Sequence, residues 1–421
     1  MTYFLSLILL ATLPFQFTLS FNGLGDIPLA RLLSMGIIFS FSAHALIRQS
    51  WRLPAPLFTG ALLSVLGLAL TSIGWTLRPD LALPKIAFLF NLLPLIFVWH
   101  DMWRQSAAHC ITCIQVFLWS ATSAAVVAVG IFLTQFIFGV SVVFHTLVDR
   151  VLPFFLGQEL ATLVASYPSL LVNIDGATVL RATAFFPDPH VASYFFGLAG
   201  FLAFGLARMT GQQRYVWCAA GLFLADILTF SRGGYVGLLA GMIVYAGLSF
   251  SAFNHQQKVR VGWVLMALLI GLSVFGQPVL SRFATSFSVT DTSSTERLAL
   301  WREALPTIAE HPILGVGLGN YLSSARPLYT PGTPFYAHNL YLDIALEMGL
   351  IGLAMFLLLF LSAFMRLIRV RRSDPWAPAI LAALTLYLTH SIFETAIFSL
   401  HNTLVLTLLL ALAHRTSEQN T

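Results

Sequence analysis

Apolar stretches recur along this chain at 4–20, 27–47, 56–77, 81–100, 111–139, 190–207, 214–230, 235–253, 260–280, 339–365, 376–397 and 402–414. A helix needs about 20 apolar residues to cross the hydrocarbon core of a bilayer, and most of these stretches approach that length. In lipid every backbone N–H and C=O must be satisfied within the protein, so apolar runs of this length fold as helices. Composition agrees: 58% of the 421 residues are hydrophobic and 9% are charged, against about 25% charged in an ordinary soluble domain. So few charges cannot coat a water-soluble globule. A soluble enzyme, a disordered chain and a coiled coil are excluded. The prediction is an all-α polytopic membrane protein with about twelve transmembrane helices, built as a single membrane-embedded domain over 1–421.

Basic residues give the topology. Arg48 and Arg52, Arg104, Arg208 and Arg214, Lys258 and Arg260, the group Arg366, Arg369, Arg371 and Arg372, and Arg415 follow the even-numbered runs. Lys and Arg concentrate in short cytoplasmic connections, so these face inward and both termini are expected in the cytoplasm. The net charge of +5 is therefore read as membrane sidedness, not as a nucleic-acid surface. Met1-Thr2-Tyr3 carries no basic stretch, so the first run is expected to be a retained span. Two outward connections are long, 140–189 and 281–338. They are rich in Trp, Phe, Leu and Pro and are predicted to fold on the outer surface with interfacial helices. The two halves show no internal repeat. Cys110 and Cys113 form a C-x-x-C with no second pair, and with Cys218 they read as buried thiols, not a zinc site.

Five segments carry chemistry. Arg181…Asp188-Pro189-His190 precedes the sixth run, where two prolines, Pro187 and Pro189, shape the entry. Asp188 reads either as part of an outer site or as a helix-terminus residue. Ser231-Arg232-Gly233-Gly234 is expected to form a tight outer turn in which the glycines take positive φ; Arg232 would sit at the membrane boundary, as a site residue or as a lipid contact. Ser293…Glu296-Arg297 fits a capping box, followed by a stripe of Leu298, Trp301, Leu305 and Ile308. That pattern predicts a helix on the outer leaflet, with Arg297 and Arg302 near the headgroups. His311-Pro…Gly315-Val-Gly317-Leu-Gly319 has glycines that match a dinucleotide pattern only superficially, since no parallel sheet accompanies them; close backbone packing is expected instead.

The fifth segment is His338-Asn339…Asp343…Glu347-Met-Gly349-Leu-Ile-Gly352. Asn339, Asp343 and Glu347 fall at i, i+4 and i+8, one polar stripe on an apolar helix. Ionisable groups in a span cost about 2.5–3.5 kcal/mol, so the stripe must face the protein interior or a wet cavity. His338, at the start of that helix, is expected to be neutral because a helix N-terminus disfavours imidazolium, as a general base requires.

These blocks resemble the O-antigen ligase and O-antigen polymerase superfamily of bacterial inner membranes, and the ligases most closely. His338-Asn339, nine residues, then Gly349-x-x-Gly352 follows the ligase pattern; Arg297…Trp301…His311-Pro312…Gly315-x-Gly317-x-Gly319 is similar to the family's large periplasmic loop. The resemblance implies transfer of a glycan from undecaprenyl diphosphate to lipid A-core oligosaccharide on the periplasmic face, with neither metal nor other cofactor. His338 would be the catalytic base, and Arg181, Arg232, Arg297 and Asn339 would bind diphosphate and substrate. A repeat-unit polymerase, using a second undecaprenyl-linked glycan as acceptor, is the alternative within the class. A transporter whose relay uses Asp226, Asp343, Glu347, His390 and Glu394 is the alternative outside it.

Overall fold

The computed structural model describes residues 1–21, 25–49, 51–166, 168–174, 176–249, 292–325 and 336–415, with isolated positions between 256 and 266. Most of the run 260–280, the loop stretches 281–291 and 326–335, and the side chains of Ser293 and Glu296 that were expected to form a capping box lie outside the described residues.

In chain order the elements are α1 (Thr2–Thr12), a hairpin of β1 (Thr18–Phe21) and β2 (Gly25–Pro28), α2 (Leu29–Arg48), α3 (Pro56–Thr71), α4 (Pro79–Leu92), α5 (Leu95–Gln105) and α6 (Ala107–Phe138). The first long loop then folds as α7 (Val140–Thr146), a π-helical turn over Leu147–Val151, α8 (Leu152–Leu156), α9 (Gln158–Ser166) and a hairpin of β3 (Leu171–Ile174) and β4 (Ala177–Leu180). After it come α10 (Pro189–Thr210), α11 (Gln213–Ile227), α12 (Arg232–Ser249), α13 (Thr292–Glu310), α14 (Tyr321–Ala325), α15 (Leu340–Val370), α16 (Ala377–His390) and α17 (Leu400–Arg415).

Among the described residues six helices are long and apolar enough to cross a membrane: Leu29–Arg48, Pro56–Gly74, Pro79–Gln105, Ala107–Phe138, Pro189–Thr210 and Leu340–Val370. Thr2–Phe15 and Ala377–His390 are shorter apolar helices. The protein is an all-α multi-pass membrane protein whose only described strands are the two short antiparallel hairpins.

α10 is the central helix. Nearly all of Pro189–Leu206 is buried, and a helix apolar on every side belongs at the middle of a bundle. Its small residues let neighbours approach: a Cβ at Gly200 would collide with the Phe223 ring, and one at Gly205 with Trp376. This is how helices associate where no hydrophobic driving force separates protein from lipid. One apolar core cluster runs from Leu9 to Ala413, and a separate one under the first long loop joins Leu147, Val148, Leu152, Leu156 and Leu180. The first long loop is thus folded, as expected. The three cysteines are buried and unpaired as disulfides.

α15 is not continuous. Gly349 has φ 70° and ψ 179°, a conformation essentially reserved for glycine. The break frees carbonyls one turn earlier, and the Pro312–Gly317 segment crosses the helix there. The Val316 and Gly317 amides donate to the carbonyls of Leu346 and Glu347 at 2.9 Å each, and the Leu350 amide donates to the Pro312 carbonyl at 2.8 Å. A Cβ on Gly315 would strike the Leu346 carbonyl oxygen, and one on Gly349 the Ile313 carbonyl oxygen. The glycines of the fourth segment and the first glycine of Gly349-x-x-Gly352 are therefore two halves of one crossing.

Two expectations are corrected. In Ser231-Arg232-Gly233-Gly234 the positive φ belongs to Phe230, at 52°, while Gly233 and Gly234 lie inside α12. They are glycines because a side chain would meet His390 and Ser193 respectively. On α13 the stripe divides: Trp301 and Ile308 pack inward with buried Ala304, whereas Leu298 and Leu305 are exposed. Arg297 lies on the packed side, turned toward the protein.

Candidate active site

The polar stripe on α15 is spent on holding the residues before it. Asn339 is the N-cap, its side-chain oxygen accepting from the amides of Tyr341 (3.0 Å) and Leu342 (3.2 Å). One turn on, Asp343 accepts from the Ala337 amide at 2.8 Å and from the Thr395 hydroxyl. A further turn on, Glu347 takes the Lys85 ammonium, Nζ lying 2.7 and 3.0 Å from its two oxygens. Lys85 also lies over the rings of Tyr336 (4.8 Å) and Phe398 (4.6 Å), which stack on each other. From the other side, the Trp301 indole donates to the Ala337 carbonyl at 3.0 Å. Both the N–H and the C=O of Ala337 are thus held, and the next residue, His338, takes φ 50°. A non-glycine residue in that region is strained unless its surroundings over-determine it; here they do.

His338 Nδ1 lies 2.9 Å from Glu394 Oε1. The other carboxylate oxygen of Glu394 is 3.9 Å from the Arg297 guanidinium, and both side chains are 15% exposed. Glu394 Oε1 also accepts from the Thr395 amide at 3.1 Å. The Glu394 charge pushes the His338 pKa up, against burial and Arg297, which push it down. Burial would raise the Glu394 pKa, but His338, by charge and hydrogen bond, and Arg297 hold the carboxyl well below its ordinary range. This changes the sequence expectation for His338. The capping of α15 is done by Asn339, and the carboxylate, not the helix terminus, dominates the imidazole's charge. A carboxylate on Nδ1–H fixes the tautomer in which Nε2 is the free base.

Arg181 is buried and turned to backbone. Its Nε donates to the Thr229 carbonyl at 2.6 Å, and its two terminal nitrogens to Phe230 (2.9 Å) and Ser169 (3.1 Å). It shapes the turn that ends in Ser231-Arg232. Ser231 Oγ then contacts His190 Nδ1 at 2.8 Å and His390 Nε2 at 3.3 Å, tying α10, α12 and α16 together. Arg232 opens α12, half-buried, directly after this serine. Asp188 is the N-cap of α10, accepting from the His190 (2.7 Å) and Val191 (3.4 Å) amides. Burial and then the nearby Glu394 charge raise its pKa, with Arg181 opposing.

The structure therefore brings His338 and Arg297 together through Glu394, gives Asn339 a capping role and Arg181 a turn-holding role, and reaches Arg232 through Ser231. Sequence reasoning noted Glu394 only as one of several acids inside apolar runs and passed over Lys85. A lysine within 81–100 was a signal, because it must find a buried partner. Of the remaining acids, Asp226 accepts from the Ser193 hydroxyl at 2.5 Å. Beside Glu394 opens a cleft of about 460 Å³, lined among others by Arg31, Phe88, Asp188, Tyr336, Glu394 and Phe398.

Residues 216–357 match the family described as O-Antigen ligase. That stretch contains Arg232, Arg297, His338, Asn339 and the Gly315–Gly349 crossing. The chain is also similar to proteins named "Putative polysaccharide ligase" in Rickettsia prowazekii (28% identical over 151 residues) and Rickettsia typhi (27% over 151 residues), each match covering 32% of this chain. A third, in Rickettsia felis, is 25% identical over 166 residues, or 36% of this chain. The matches span 34–37% of the relatives' own length, about a third.

Proposed function

We propose that this chain, whose residues 216–357 match the O-antigen ligase family, is a glycosyltransferase joining a glycan from undecaprenyl diphosphate to a hydroxyl of lipid A-core oligosaccharide. The observation that carries the reading is the His338–Glu394–Arg297 arrangement, whose carboxylate lines the cleft. His338 Nε2 takes the proton of the acceptor hydroxyl as its oxygen attacks the anomeric carbon. Glu394 stabilises the imidazolium that results. The bond from the anomeric carbon to the diphosphate oxygen breaks, the new glycosidic bond forms, and undecaprenyl diphosphate leaves with the electron pair. In this reading Arg297 and Arg232 meet the negative charge growing on that leaving group, where bidentate guanidinium contacts suit phosphate oxygens. Preorganised positive charge at a developing anion lowers the barrier by several kcal/mol, and in this reading arginines supply it without a metal. Attack from the face opposite the diphosphate inverts the anomeric centre. Arg181 acts by setting the turn that presents Arg232, and Asn339 by orienting the helix that presents His338.

Sidedness follows from charge. The helices α10 and α15 are capped at their N-termini by Asp188 and Asn339, and arginines lie at their other ends, Arg208 in the last turn of α10 and Arg369 in that of α15, followed by Arg371 and Arg372. With the arginine ends cytoplasmic, the cleft opens to the periplasm of an inner membrane and both termini lie inside. The test is purified protein in lipid nanodiscs with undecaprenyl-linked glycan and lipid A-core, scored by a gel ladder. Transfer to lipid A-core is expected, and His338→Ala is expected to lose about 100-fold or more of it while still accumulating in the membrane. Elongation of the undecaprenyl-linked glycan without transfer to lipid A-core would make the chain a polymerase. Full transfer by the His338 variant would remove the imidazole from the chemistry.

A further inference from the structure

The cleft beside Glu394 holds polar groups that the mechanism above leaves unused. Among its described lining residues Arg31 is the lysine or arginine, and the carboxylates are Asp26, Glu159, Asp188 and Glu394. Three of those carboxylates are engaged: Asp26 with the Ser20 hydroxyl (2.6 Å) and the Glu159 amide (3.1 Å), Asp188 with the cap of α10, and Glu394 with His338 and Arg297. No carboxylate lies within ion-pair distance of Arg31 among the described residues. Its guanidinium lies 5.5 Å from the centroid of Phe88. Phe88 touches Phe398 (6.3 Å), and Phe398 stacks on Tyr336 (5.8 Å), two residues before His338. Arg31 is exposed to the cleft, and the Phe88 and Phe398 rings of that wall offer its guanidinium N–H groups no oxygen. Arg31 also sits in the first turn of α2, which contains no acidic residue and no side-chain cap, so the local field is positive.

A second observation comes from the first turn of α17. His401 and Asn402 line the same cleft and are 1% and 0% exposed. His401 Nε2 and both polar atoms of the Asn402 amide have no hydrogen-bond partner among the described residues. Leaving a buried polar group unmade costs about 1–3 kcal/mol, so such groups grouped in a cavity point to a polar ligand.

We propose that Arg31, His401 and Asn402 form a subsite for a phosphate group of the lipid-diphosphate donor, separate from the charge supplied by Arg297. The proposal rests on the donor assignment above and names further residues for it. Arg31 contributes the charge and a fork of donors, and Asn402 a neutral amide donor that tolerates the low-dielectric wall. The aromatic wall between Arg31 and Tyr336 then leads the sugar end of the donor toward His338.

The test uses the full chain in nanodiscs and measures binding of undecaprenyl diphosphate, with undecaprenol and phosphatidylglycerol as comparison lipids. Arg31→Gln and Asn402→Leu should each weaken diphosphate binding about tenfold, the 1.4 kcal/mol of one lost charged contact, with undecaprenol binding unchanged. Arg31→Lys should recover part of the loss, which a misfolded variant would not permit. In the transfer assay the same variants should raise the KM for donor and leave the KM for acceptor unchanged. If the wild type binds the diphosphate and both variants bind it equally well, the subsite is wrong and the ligase reading stands. If phosphatidylglycerol competes as well as undecaprenyl diphosphate, Arg31 meets an ordinary lipid headgroup and the subsite is wrong. Weakened binding in a wild-type background that transfers no sugar keeps the subsite and overturns the ligase reading. Absence of wild-type binding overturns the subsite and the donor assignment together.

Discussion

His338 and Glu394 meet at 2.9 Å although 56 residues separate them. The histidine comes from the strained residue before α15, and the acid from the short connection between α16 and α17. That connection is anchored to the start of α15 at two points. The Leu340 amide donates to the Ser391 carbonyl at 3.0 Å, and the Thr395 hydroxyl donates to Asp343. The dyad is therefore fixed by backbone and second-layer contacts, as a base of defined tautomer requires.

The Glu394 charge raises the His338 pKa, and the reactive form is the neutral imidazole. The rate of the wild type should therefore fall as pH drops through a value above the 6.5 of a free histidine. Glu394→Gln removes the charge that raises it, so the acid limb of kcat/KM should move to lower pH while kcat falls about tenfold or more. An acid limb that stays in place would detach the carboxylate from the titration of His338.

Arg297 and Arg181 should respond differently to a charge-conserving change. Arg297 reaches Glu394 and, in the proposed mechanism, grips the leaving group, so Arg297→Lys should lower kcat/KM through loss of the two-pronged grip, with thermal stability near that of the wild type. Arg181 donates to three carbonyls, more than a lysine can satisfy with the same geometry. Arg181→Lys should lower the unfolding temperature together with activity. Equal stability losses in the two variants would contradict this division.

Lys85 and Glu347 form an ion pair with side chains 16% and 3% exposed. Removing one partner leaves the other charge buried, at a cost of about 3–5 kcal/mol. Lys85→Met should therefore lower stability strongly in detergent unfolding, and Lys85→Met with Glu347→Leu should recover much of the loss. A double variant as unstable as the single one would show that the charges themselves are required.

Gly349 takes a backbone conformation closed to other residues, and a Cβ there would lie 2.1 Å from the Ile313 carbonyl oxygen. Gly349→Ala should cost about 1–3 kcal/mol in backbone strain alone, with further loss from the collision. Reduced accumulation and a lower unfolding temperature are expected, and wild-type stability would mean that the Pro312–Gly317 crossing is not needed.

Much of this protein is written along the chain. The helical membrane class follows from runs such as 190–207 and 339–365, because lipid leaves an apolar segment no other way to satisfy its backbone. His338 stands out in the sequence as a lone imidazole at the head of a span, and the inward-facing stripe Asn339–Asp343–Glu347 follows from the cost of a charge in lipid. What those three residues touch is not local information. Sequence spacing fixes which face of a helix a side chain lies on, but not what packs against that face. Only the folded bundle delivers Lys85 to Glu347, Thr395 to Asp343 and Glu394 to His338, across separations of 262, 52 and 56 residues. The same packing turned Arg181 from an expected phosphate contact into the clamp of a turn, and moved the positive φ from two glycines to Phe230.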